Sequence, residues 1–349
     1  MTRDTESSRA KQLNGLSPSL LSLQAGTFTS ESDLRAGFHG STYAFINIDG
    51  FNTGEKTEMY WATRAYELAL VEGIKFFVYG NLDYVYKKSG YRPEFRTGHY
   101  DGKGRIGEWI LEQTKTNRSR MGAALFTTGP YIQMALAKHT PMSPVVEYGT
   151  VVWRVPLGEG AVAHVDLNDC GHYVRWLFDN QERANGMDLE VAIDLIDYHD
   201  MARAFTAVTG KPARYENVSM EEYWESGPLS HAKDKPAGYS SKLEDPATMS
   251  LQQNFTGFWN MWAASGGNKG VIRRNLALLD EIHPHRTRSV EDWFRKEQKR
   301  GMETGLGTLW DRVNDLQVVL KLQEDMLRGE ESRPHSTESF LTRADIVRG

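Results

Sequence analysis

The chain has one cysteine, Cys170, so it can form no internal disulfide, and its composition fits a reducing compartment. Nowhere does it approach the run of roughly 18 apolar residues that a membrane-crossing helix needs. Its opening, MTRDTESSRAKQLNG, lacks the apolar stretch of a signal peptide. These absences predict a cytoplasmic or nuclear protein with no membrane partner. Basic residues are not in excess: 41 Lys and Arg stand against 46 Asp and Glu, a net charge of −5, which gives no electrostatic footprint for nucleic acid. There is no G-x-S-x-G nucleophile elbow and no P-loop. His283 and His285 flank a proline with no Cys, Asp or Glu set to complete a site, so no metal is expected. Internal repeats and low-complexity tracts are absent too.

What the 349 residues do contain is an ordinary globular composition, 40% hydrophobic and 25% charged, enough for one large domain or two modest ones. The first part alternates strand and helix. SLLSLQAG predicts a strand over 20–25. In the helix that follows, Ser30 and Asp33 have capping-box spacing. The near-continuous apolar runs at 42–48, 74–79 and 121–127 predict buried parallel strands. Between them GEKTEMYWATRAYELALVEG and GRIGEWILEQTK read as helices, and PYIQMALAK as a helix opened by Pro130. This β-α-β order predicts a parallel sheet with helices on both faces. Beyond residue 145 the texture changes. TVVWRVPLGEGAVAHVDL reads as a hairpin, DLEVAIDLI as a strand, and 305–329 as a helix through Leu309, Val313, Leu316 and Leu320. A polar tail, 331–349, is expected to be disordered.

The order of elements, with FFVYGNLDY, GHYDGKGRIGEWI, TTGPYIQMAL and NFTGFWNMW…GGNKGV…LLDEIHP, resembles the NmrA-like family of atypical short-chain dehydrogenase/reductase proteins. The resemblance spans roughly residues 1–300. It implies a Rossmann-type domain that binds NADP(H) and a smaller α+β domain that closes a substrate cleft. The corresponding layout is a dinucleotide-binding domain at 1–145, a mixed remainder of sheet and substrate cleft at 146–303, a C-terminal helix at 304–330 and the tail. In one respect the chain departs from the family. Such proteins start with a strand, a glycine-rich turn and a helix that hold the pyrophosphate, and nothing here matches that unit. MTRD resembles the end of the family's second strand, so a stretch on the order of 30 residues is expected to be missing, the size of part of a βαβ unit. A shortened gene model, a natural variant, or another segment filling the place would each account for this.

Several residues are candidates for the site. His99 and Lys103 of HYDGK occupy the family position of Tyr-x-x-x-Lys, where lysine holds the nicotinamide ribose and the other group serves as acid or base; a packed histidine and a surface lysine are the plainer alternative. The resemblance places Arg3 by the 2′-phosphate. Asn47, Asp49 and Phe51 follow a strand and suit a dinucleotide contact or plain loop chemistry. Thr128, Gly129, Pro130 and Tyr131 form a second strand-to-helix junction where backbone could approach a nicotinamide. Tyr84-Val85-Tyr86-Lys87-Lys88 also spells Tyr-x-x-x-Lys but directly follows a strand; it reads as a decoy whose aromatics, Tyr84 and Tyr86, line the cleft. The stripe Leu251, Phe255, Phe258, Trp259, Trp262 is either core or a substrate-facing wall, with Phe255, Trp259 and Trp262 as the cleft candidates.

Three functions stay open at this point. The first is an NADP(H)-linked oxidoreductase acting on a small organic molecule of specialised metabolism. Without the glycine turn its cofactor is expected to bind weakly or not at all. The second is a non-catalytic redox-sensing regulator acting through a protein partner or as a homodimer. The third is a cofactor-independent isomerase or cyclase in the same cleft.

Overall fold

The computed structural model describes residues 1–238 and 244–319, apart from the side chains of Phe51 and Asn52. In chain order its strands are β1 Tyr43–Ile46, β2 Phe76–Leu82, β3 Gly122–Thr128, β4 Val145–Glu147, β5 Thr150–Val155, β6 Val162–His164, β7 Asp188–Glu190, β8 Asp194–Ile196 and β9 Ala213–Asn217. The main sheet is parallel throughout, ordered β1-β2-β3-β7.

Side-chain alternation explains why helices cover both faces. Along β2, Phe77 and Tyr79 point to one face, with Ala123 and Leu125 of β3 beside them. There they meet the helices Glu31–Phe38, Glu55–Val71 and Gly98–Asn117 through Leu34, Ala62, Ala65, Ile106 and Ile110. Phe76, Val78, Ala124 and Phe126 point the other way, onto Tyr173 and Leu177 of the helix Leu167–Asp179 and onto Leu279 and Ile282. A strand buried on both faces must be apolar at every position, which is why these runs read as continuous rather than alternating. A third core gathers β5 with the helices Tyr198–Thr209, Leu251–Ala263 and Val290–Glu303 around Trp153, Phe205, Trp259, Trp262 and Trp293.

Several expectations need correction. Residues 20–25 form no strand: Ala25 makes a single parallel bridge with Thr2, and Leu20 is 89% exposed with no ladder to join. Among the described residues β1 therefore has a partner on one side only, and Tyr43 and Phe45 on it remain 43% and 42% exposed. The expected hairpin at 150–167 does not close on itself. β5 pairs with β4 and β9, while β6 pairs with β8. DLEVAIDLI is cut in two, β7 joining the main sheet and β8 turning to β6. PYIQMALAK forms only the 3₁₀ turn Ile132–Leu136. The C-terminal helix is short, Leu309–Asn314, started by a Thr308–Asp311 capping box; by Gln317 the chain is extended and bridges Ala137. The remainder of that expected helix and the tail at 331–349 lie outside the described residues. Among the described residues no helix is long and apolar enough to cross a membrane.

Candidate functional site

The carboxyl ends of β1 and β2 open onto the first turns of the Gly98–Asn117 helix. HYDGKGRIG lies inside this helix, not in a loop before it. Its glycines lie on the packing side: a Cβ on Gly104 would collide with the backbone of Tyr84. The helix can thus settle on the strand ends, and this closeness carries Lys103 into the sheet. Lys103 is 8% exposed. Its Nζ donates to Ile48 O at 2.7 Å and approaches Asn47 Oδ1 and Gly80 O, both at 3.4 Å. It is also ion-paired with Glu58 Oε1 at 2.7 Å, and the Tyr79 ring lies 5.5 Å away. Burial raises the pKa of the Glu58 carboxyl, and the Lys103 charge opposes that shift.

His99, one turn earlier on the same side of the helix, reaches toward the Leu251–Ala263 helix instead of the strand ends. Its Nδ1 lies 3.0 Å from the side-chain oxygen of Asn254, a fully buried residue of the Leu251–Ala263 helix. Phe255 and Tyr100 pack against the imidazole. Enclosure lowers its pKa to about 4, outweighing the Asn254 bond, and the Lys103 charge pushes the same way. At neutral pH the ring is therefore uncharged. Its edge reaches a cavity of about 280 Å³ lined also by Thr53, Glu55, Lys56, Asp245, Met249 and Asn254. Lys103 does not line this cavity. The HYDGK pair thus serves two neighbouring spaces, with histidine at the cavity and lysine beneath the strand ends.

The other candidates divide by where the backbone puts them. Asn47 sits beside Lys103, and Asp49 is exposed two residues on. Phe51 falls in the short helix Gly50–Thr53, its side chain outside the described residues. Arg3 is exposed next to the Thr2–Ala25 bridge. At the junction after β3, the space next to Gly129 is taken by the chain itself: a Cβ there would collide with Ala163 O, and Pro130 O accepts from Val165 N. The close approach that glycine allows at 129 is made by β6 and not by a ligand. Thr128 and Tyr131 border this junction, half-buried. Burial, with Cys170 and Asp49 nearby, raises the Tyr131 phenol pKa.

Tyr84 and Tyr86 flank the turn after β2. The Tyr84 hydroxyl accepts from Arg105 Nε at 3.1 Å, and Tyr86 lines an open groove of about 1090 Å³ with Arg96, Arg105 and Gln253. Lys88 is paired with Asp83 at 2.6 Å and with Glu190. Trp259 and Trp262 are fully enclosed and Phe255 nearly so, which makes the stripe core packing and corrects the idea of a substrate-facing wall.

Two features escaped the sequence. Glu58 reads as one of several charges on an amphipathic helix, and only the fold turns it inward. Asp83 and Arg274 form a buried pair at 2.7 Å. Nothing in their local sequence links them. Among the described residues no cluster of His, Cys, Asp and Glu could hold a metal ion.

Comparison with known proteins agrees with this architecture. The family model described as "NmrA-like family" matches residues 1–250. An NmrA-like family domain-containing oxidoreductase, ptmS, of Penicillium ochrochloron is 24% identical over 234 residues, covering 62% of this chain and 67% of that protein. The structure of NmrA, a negative transcriptional regulator in complex with NAD, superposes with a TM-score of 0.63 at 14% identity over 88% of this chain and 89% of that one. The NADPH-dependent quinone oxidoreductase QOR2 of Escherichia coli complexed with NADPH gives 0.56 at 17% identity, over 83% and 87%. At such identities the structural likeness establishes the fold.

Proposed function

The chain belongs to the NmrA-like family, and from that premise we propose that it is an NADP(H)-linked oxidoreductase acting on a small organic molecule of fungal-type specialised metabolism. One observation carries the reading: a buried lysine, Lys103, holds its ammonium at the carboxyl ends of two adjacent parallel strands. That is where open α/β sheets bind ligands. The residues there fit the ribose end of a dinucleotide. Lys103 would hold the ribose hydroxyls, with the Asn47 side chain beside it as a second polar group. NADPH, when bound, supplies a hydride; this chain's residues bind, orient and exclude water.

His99 then acts as a neutral hydrogen-bonding group toward a substrate carbonyl in the neighbouring cavity, because its low pKa leaves it uncharged at neutral pH. Asn254 fixes the orientation of the ring. The cavity's mix of Met249, Thr53 and Lys56 suits a compact, partly polar molecule. Cofactor binding is weak, since Lys103 is already paired with Glu58 and must give up that contact to take a ribose. A lost charge-assisted contact is worth about 1.5–3 kcal/mol, and each 1.4 kcal/mol is about tenfold in affinity.

A second reading, a non-catalytic regulator that senses nucleotide state and acts through a protein partner, is favoured by the same pairing, which leaves Lys103 engaged. Calorimetric titration with NADPH and NADH, followed by consumption of the reduced nicotinamide with a panel of quinones and ketones, separates the two. The oxidoreductase reading expects millimolar binding and turnover that Lys103→Met abolishes. Binding without turnover supports the regulator. No binding at millimolar nucleotide overturns both.

A further inference from the structure

We infer that Glu58 is the positioning residue of this site: it holds Lys103 at the strand ends and is the internal partner that an incoming ligand must replace. The inference rests on the reading above, in which Lys103 meets the cofactor. Glu58 lies in the first turn of the Glu55–Val71 helix, is 0% exposed, and pairs with Lys103 at 2.7 Å. The backbone is shaped around it, since a Cβ on Gly50 would collide with Glu58 Oε2.

This arrangement is under-satisfied. Neither carboxyl oxygen of Glu58 makes a well-formed hydrogen bond among the described residues, and the hydroxyl of Tyr79, itself fully buried, lies against the same carboxyl with no better partner. A buried carboxylate is well settled only when all its oxygens are bonded, and an unbonded one costs stability. The pair is therefore poised: a ligand oxygen that takes over the lysine ammonium displaces a contact that is already incomplete. The charged and titratable groups around Glu58 are Lys103 from the Gly98–Asn117 helix, Tyr79 from β2, Asp49 from the loop after β1 and Glu55 from its own helix. Of these only Lys103 is positive. Protonating Glu58 relieves its repulsion from Asp49 and Glu55 and releases the lysine. Nucleotide binding should therefore tighten as pH falls.

Two measurements test this, one without nucleotide. In isotope-labelled protein the Lys103 side-chain nitrogen is observed by NMR at neutral pH in the parent chain, in Glu58→Gln and in Glu58→Asp. Removal of the counterion should shift the Lys103 side-chain resonance and speed exchange of its ammonium protons with water in Glu58→Gln, with Glu58→Asp intermediate. An unmoved Lys103 resonance overturns the inference, and the aspartate variant keeps the test open should the glutamine variant not fold. Calorimetry with NADPH is the second measurement. Glu58→Gln should bind about tenfold tighter and lose the pH dependence, whereas the same change made in Lys103→Met should have no effect. Equal tightening in both backgrounds overturns the inference. If Lys103 responds to Glu58 while no variant binds NADPH, the control of Lys103 by Glu58 stands and the cofactor reading fails.

Discussion

Arg274 grips Asp83 through both terminal guanidinium nitrogens, at 3.1 and 2.7 Å, across 191 positions of sequence, and neither side chain is exposed. Arg274 Nε donates as well to Val191 O at 3.2 Å, and Lys88 gives Asp83 a second cation. The pair joins the end of β2 to the segment after the Leu251–Ala263 helix, so it fastens that segment beside the strand ends. The two cations hold the Asp83 carboxyl well below the usual carboxylate range, despite its burial.

Breaking one side of such a pair leaves an uncompensated buried charge, which costs about 3–5 kcal/mol. Asp83→Asn and Arg274→Met should each lower unfolding free energy by that amount in urea titrations. Replacing both partners with apolar residues should recover much of the loss. A single variant within about 1 kcal/mol of the parent chain would mean that the pair is solvated in solution.

Two buried histidines should also make stability depend on mild acidification. His99 and His164 are held neutral by burial, with pKa values of about 4 and about 3. In the unfolded chain each titrates near about 6.5. Between roughly pH 6.5 and 4 the unfolded state binds more protons, so stability rises with pH there and levels off above, by about 1.4 kcal/mol per pH unit for each histidine. Asp188, whose carboxyl burial raises to about 6, and Glu58, raised as well, bind protons in the folded state over part of this range and offset some of that slope. The readout is therefore a difference: in urea unfolding, His164→Gln should lose about 1.4 kcal/mol per pH unit of dependence relative to the parent chain. Parallel profiles for the variant and the parent between pH 4.5 and 6.5 would show that the His164 ring is hydrated.

The parallel sheet was readable because β2 and β3 are buried on both faces, and a continuous apolar run of strand length between helical segments fits little besides a doubly covered strand. Partner choice was not. TVVWRVPLGEGAVAHVDL has the look of a hairpin, yet Val151–Val155 finds Ala213–Asn217, 62 residues on, because Trp153 and Val155 must reach the third core. The run at 20–25 has strand composition but no described neighbour beyond Thr2. Within the candidate site, Lys103 was singled out by its motif, though its burial was not expected. Glu58 was not, because a glutamate near a helix start normally suits the helix dipole at the surface. Only the contact with Lys103 reveals that it turns inward.

The glycines of GKGRIG offer a contrast with a more ordinary helical glycine. Gly104→Ala puts a Cβ into the Tyr84 backbone and should destabilise by about 1–3 kcal/mol, as overpacking does. The helix would also lift Lys103 from the strand ends, weakening nucleotide binding. Gly171 in the helix Leu167–Asp179 has no atom within 4 Å of the point where an alanine methyl would sit. Gly171→Ala should therefore stabilise by up to about 1 kcal/mol through helix propensity. Thermal unfolding of both variants checks the pair, and a neutral Gly104→Ala would mean that the helix sits further from β2 than described.

Cys170 is a poor redox sensor by the chemistry of its surroundings. Burial, with Asp166 and Asp169 close by, pushes its thiol up to about 12. The thiolate is the reactive form, and at pH 8 it would be about one part in ten thousand, against roughly a quarter for a free cysteine with pKa near 8.5. Alkylation of the native protein by iodoacetamide should run on the order of 10³-fold slower than alkylation of the urea-unfolded chain. Peroxide treatment should leave Cys170 reduced by mass spectrometry. Labelling within tenfold of the unfolded rate would mean that the helix Leu167–Asp179 opens readily and exposes the thiol.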